Sequence, residues 1–118
     1  MSSTAWASSA ESARAAVERG LATADPVQAV ADLSEAGRAV DEALNEAMAA
    51  AVLAGASMRK LAETAGIAPN SVPPKLSRSK PLAPYVADGT ITADLIAVAR
   101  FDAATGRPPM TFKPRRKE

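Results

Sequence analysis

The sequence predicts an all-α protein: an N-terminal helical hairpin with a long second helix, a compact group of three helices, then a C-terminal helix and a basic tail. Two observations predict it. Apolar residues recur at intervals of three and four along most of the chain, the period of a helix face. Between these runs stand residues that start or stop helices, and no stretch gives a clear β-hairpin. The expected helices lie near 8–21, 26–54, 57–65, 70–79 and 92–104.

Each element has its own warrant. The first helix ends near Gly20; Ser8 and Glu11 have capping-box spacing at its start, and Trp6, Ala10, Ala13, Val17 and Leu21 form its apolar stripe. Asp25-Pro26 restarts the chain, with an N-cap acid, proline at the first helical position and Gln28 at the capping-box site. From there to Ala54 only Gly37 lowers helix propensity, by about 1 kcal/mol relative to alanine. Val30, Leu33, Gly37, Val40 and Leu44, continued by Ala47 and Ala51, make a heptad-like seam with small residues in it. That seam is expected to pair helices, within the chain or between two copies. A four-helix dimer of two hairpins satisfies both. The last helix starts at Thr90 or Thr92 and ends at Gly106, with Ile91, Leu95, Ile96, Val98 and Phe101 available for packing.

The stretch from Ala49 to Ser79 is the most specific. Ser57 can cap a helix whose Met58, Leu61, Ala62 and Ala65 share one face. Gly66 comes next, where the chain turns sharply and a positive φ is expected. Ile67 plugs the turn, Ala68-Pro69 opens the next segment, and Val72 and Leu76 face inward. Asn70, Ser71, Lys75 and Arg78 are left outside as hydrogen-bonding and cationic positions, with Ser57, Arg59, Lys60, Pro69 and Lys80 as further candidate contacts. Pro73-Pro74 is the irregular feature. Proline has no amide donor and clashes with the carbonyl four residues back, so the helix is expected to start late, near Ser71 or Val72, or to bend.

At LAETAGIAPNSVPPKL, Leu61 to Leu76, the chain resembles the helix-turn-helix DNA-binding regulators of bacteria, plasmids and phages, over about residues 43–78. The resemblance implies a three-helix head that places the segment after Pro69 in the major groove of double-stranded DNA. Cations would attract phosphates, and Asn70 and Ser71 would read base edges. On this reading residues 1–42 form an oligomerisation region, 43–80 the DNA-binding head, 81–106 a loop and C-terminal helix, and 107–118 a flexible arm.

Composition is consistent with that division. Residues 1–58 hold three arginines against eight acids, net −5, and residues 59–118 hold eleven basic residues against five acids, net +6. The split suggests an acidic assembly half and a basic nucleic-acid half. The tail RPPMTFKPRRKE adds Arg107, Arg115 and Arg116 as further candidate phosphate contacts, though such a tail can equally serve only solubility. With 47% hydrophobic residues, many of them alanine, and 3% aromatics, the core is thin, so a homodimer is expected. No cysteine and no histidine are present, which removes disulfides, thiolate chemistry and the usual zinc sites. No metal, cofactor, small-molecule ligand or catalytic residue is expected, and the acids at Asp32, Glu35, Glu42 and Glu46 read as a solvated face. No apolar run is long enough to span a membrane, so a cytoplasmic protein is expected. A dimeric repressor is the leading functional expectation. A DNA-binding assembly protein such as a phage small terminase subunit is the alternative, and a protein-interaction adaptor a weaker one.

Overall fold

A computed structural model describes residues 5–106. It contains five α-helices: α1 (Ala7–Ala22), α2 (Pro26–Leu53), α3 (Met58–Ala65), α4 (Val72–Ser77) and α5 (Ala93–Thr105), with 3-10 turns at Pro69–Ser71 and Ala83–Tyr85. No strand occurs among the described residues, so the all-α expectation holds. The chain falls into two compact units that divide between Ala47 and Met48.

In the first unit α1 and α2 form the expected hairpin, joined by Thr23–Asp25. The Asp25 carboxylate accepts from the Val27 amide at 3.0 Å, a true N-cap. Gln28 does not complete a capping box; its side-chain amide donates to Asp32 instead. Ser8 does not cap α1 either. The helix begins one residue earlier, Trp6 stands at its N-cap without a side-chain bond, and Glu11 pairs with Arg14.

The hairpin buries a different face from the one its large side chains suggest. Ala13 and Ala16 are buried on α1, and Asp32 and Ala36 on α2. A Cβ added at Gly20 would lie 3.1 Å from Leu33 Cδ2 and 3.6 Å from Asp32 Cβ, so α1 and α2 approach closely here. Small residues permit that approach, and the approach pushes large side chains to the flank. Of the expected α1 stripe only Ala13 is buried, whereas Trp6, Val17 and Leu21 are exposed, Leu21 by 80%. The four acids expected to make a solvated face on α2 do not share one: Glu35 and Glu42 are exposed, but Asp32 and Glu46 are buried. One side of the hairpin is tied by polar contacts: Arg19 to Glu35 at 2.9 Å and to Asp32 at 3.6 Å, and Ser9 to Glu42 at 3.1 Å. The bond to Glu35, and then its charge, raise the Arg19 pKa above its ordinary value.

The second unit has a fuller core of Val52, Leu61, Val72, Leu76, Leu82, Tyr85, Ile91 and Ile96, all buried. α5 contributes Ile96 and Ala99 to it, with Leu95 half-buried, while Phe101 is 56% exposed. The Thr92 hydroxyl caps α5 by accepting from the Leu95 amide, and Gly106 closes it with φ 73°.

The loop before α5 holds a feature beyond the sequence expectations. Ala87 and Thr90 exchange two backbone hydrogen bonds, of 2.8 and 3.1 Å, around Asp88 and Gly89. Both central residues have positive φ, 54° and 77°, the requirement of the tightest hairpin turn. The Asp-Gly pair is the signal for it, but the ladder stops after one bridge, so no strand forms.

Candidate nucleic-acid interface

The candidate surface is built from α3, the turn after it, and the segment Pro69–Ser77. Ser57 has extended backbone and its hydroxyl accepts from the Lys60 amide at 3.0 Å, which fixes where α3 begins. Leu61 and Ala62 are buried, Met58 is half-buried and Ala65 is exposed, so the inward face is narrower than its spacing implies.

Gly66 ends α3 in the left-handed region, φ 72° and ψ 34°. Its amide donates to Glu63 at 3.3 Å, and the Ile67 amide reaches back to the Ala62 carbonyl at 3.0 Å. This pair of bonds is a Schellman termination, which turns the chain away from the helix axis. Ile67 is half-buried beneath the turn. Ala68 is extended, the conformation that a following proline favours.

The prolines shape the next segment. Helical continuation would give the Pro69 carbonyl a donor at residue 73, but Pro73 has none, so only Val72 can donate to it, three residues on. A 3-10 turn at Pro69–Ser71 is the consequence, and α4 proper starts at Val72. Pro73 and Pro74 then lie in the first turn of α4, where amides are unpaired in any case. The expected late start is therefore what occurs, and the α-helix is shorter than the expected 70–79 because Arg78 already caps it. Val72 and Leu76 are fully buried, and α3 packs against both the 3-10 turn and α4.

This packing assigns the outward positions. Arg59, Lys60, Pro69, Asn70, Arg78 and Lys80 are exposed, as is Ser57, while Ser71 and Lys75 are half-buried. Between residues 59 and 80 five basic side chains face one acid, Glu63. Arg59, Lys60, Lys75 and Arg78 form no ion pair with any described residue. Their positive charge is thus not neutralised by any described acid, which suits attraction to phosphates. Arg107, Arg115 and Arg116 lie outside the described residues.

Two supporting residues are not signalled by any motif. Arg100 on α5 donates from Nε to the Val52 carbonyl at 2.9 Å and from Nη2 to the Ala56 carbonyl at 3.2 Å. It closes the C-terminal end of α2 with a cation and fixes the link that leads to Ser57. Asp102, further along the same helix, is buried and accepts from Tyr85. The only sequence signal for either is a charge placed among the apolar residues of a helix.

Beside Arg100 lies a shallow pocket of about 180 Å³, lined by Val52, Ala56, Ser57, Met58, Ala93 and Ile96. Its walls are mostly apolar and the guanidinium is already engaged. No group of acids or other ligating residues that could hold a metal ion occurs among the described residues, and no helix there is long and apolar enough to cross a membrane. No protein family, no curated protein and no solved structure matches this chain.

Proposed function

We propose that the chain binds double-stranded DNA through a helix-turn-helix formed by α3, the Gly66 turn and the segment Pro69–Ser77, and that it acts as a dimeric repressor. The observation that carries this reading is the Schellman turn at Gly66–Ile67. It joins two segments whose inward residues, Leu61 and Ala62 on one and Val72 and Leu76 on the other, are buried. The same geometry leaves Asn70 exposed, and Arg59, Lys60, Lys75 and Arg78 form no ion pair with any described residue. Asn70 and Ser71 stand at the start of the segment that would enter the major groove, where an amide side chain can pair with adenine. Arg59, Lys60, Lys75, Arg78 and Lys80 would hold phosphates.

Repression needs only occupancy of a site, and occupancy calls for no catalytic group. The surface is equally compatible with a DNA-binding assembly protein. Mass in solution separates the two, since a dimer fits the repressor and a large ring the assembly role. Selection from a random duplex pool tests the reading itself. The selected duplexes should converge on a short motif, arranged as two half-sites related by a two-fold axis. A pool that shows no enrichment after repeated rounds would contradict it.

A further inference from the structure

We infer that the exposed apolar side of the α1–α2 hairpin is the surface on which a second copy of this chain docks, with the two α2 helices antiparallel. This deepens the proposed dimer by naming its surface, and it rests on that dimer but not on DNA binding.

The hairpin buries small residues and leaves large ones outside. Trp6, Val17, Leu21, Val30, Leu33 and Val40 remain exposed, by 37% to 80%. On α1 the exposed set lies about a quarter-turn from Ala13 and Ala16, in the direction of increasing residue number, and on α2 it lies about a quarter-turn from Asp32 and Ala36 in the same sense. Because consecutive helices of a hairpin run antiparallel, equal offsets place both stripes on one side. The Arg19–Glu35 pair has the opposite offset on both helices, and its 2.9 Å contact marks the other side as polar.

The occupant follows from size, charge and register. α1 has 16 residues, so the face is about 24 Å long and about 20 Å wide, on the order of 500 Å² per copy. Two copies bury about 1,000 Å² together, the threshold for a specific interface. The seam residues themselves carry no charge, so docking buries no ionised side chain of the seam. Along α2, Val30, Leu33, Gly37, Val40 and Leu44 alternate by three and four. A Cβ added at the central Gly37 would meet no atom within 4 Å. Parallel pairing sets Gly37 against Gly37 of the second copy and leaves a void at the centre of the seam. Antiparallel pairing sets it against Leu33 or Val40 of the second copy, which fills the space.

The absence of cysteine makes the test direct, because each introduced thiol is the only one. The full chain should have twice its 12.1 kDa mass in solution. A short bifunctional maleimide should join Gly37→Cys into a covalent dimer. It should not join Val30→Cys, because the two antiparallel registers hold those positions about 15 Å or about 25 Å apart along the axis. Efficient cross-linking of Val30→Cys would overturn the antiparallel arrangement. A dimer in which neither variant cross-links would overturn the choice of face, and a 12.1 kDa monomer at high micromolar concentration would overturn the interface altogether. None of these outcomes bears on duplex binding, which is read separately from affinity and its salt dependence.

Discussion

The Tyr85 hydroxyl donates to the Asp102 carboxylate at 2.6 Å, with each residue only 3% exposed, so the loop before α5 is fastened to α5 by a buried, charge-assisted bond. Removing the donor leaves a buried carboxylate with one partner fewer. Tyr85→Phe should lower unfolding free energy by on the order of 1–3 kcal/mol in a urea titration. Tyr85→Phe combined with Asp102→Leu should recover part of that loss, because no polar group is then stranded. Loss in the double variant equal to the sum of the single losses would show that the bond contributes no coupling.

Arg100 makes a second prediction. Its two bonds satisfy carbonyls at the end of α2 and just ahead of Ser57. Arg100→Met keeps the aliphatic stem and removes both donors, so stability should fall by about 2 kcal/mol, the scale of hydrogen bonds to a charged group. Arg100→Lys should recover no more than part of this, since an ammonium lacks the planar fork. Thermal melts compare the three chains, and equal melting temperatures would remove Arg100 as a support for α3.

The proline pair predicts a change of local structure with little change of stability. Pro73→Ala gives residue 73 an amide that can donate to the Pro69 carbonyl, so the 3-10 turn should convert to α-helix. Greater freedom of the unfolded chain costs about 0.4–1 kcal/mol, which roughly offsets the hydrogen bond gained. Backbone chemical shifts of Asn70 and Ser71 should move toward α-helical values, while the melting temperature stays within a few degrees. Unchanged shifts would mean that something other than the missing amide sets the 3-10 turn.

Whether a residue's role is legible in the sequence depends on whether it acts through local or distant contacts. Ser57, Asp25, Thr92, Gly66 and Gly106 act on their own turns of chain, and each does what its position implies. The late start of α4 is equally legible, because proline chemistry is local. Packing partners are less so. Periodicity identifies an apolar stripe but not whether the fold covers it. The Trp6–Leu21 stripe is therefore expected to pack, yet the hairpin closes on Ala13, Ala16 and Ala36, beside Gly20. Arg100 and Asp102 give no such signal, because their partners lie 48 and 17 residues away, beyond any spacing rule. Among the candidate contacts Ser71 and Lys75 are half-buried, a difference that their outward spacing does not show.

The most direct test of DNA reading by this turn is the salt dependence of duplex binding, measured by fluorescence anisotropy for the full chain and two variants. Log affinity should fall linearly with log salt, and Lys75→Ala with Arg78→Ala should flatten that slope by roughly two units while weakening all duplexes alike. Asn70→Ala should keep the slope and relax preference at one base pair, by on the order of 1–3 kcal/mol. Binding that is absent, or affinity untouched by both variants at physiological salt, would contradict the claim that this turn and its flanking helices form a DNA-reading surface.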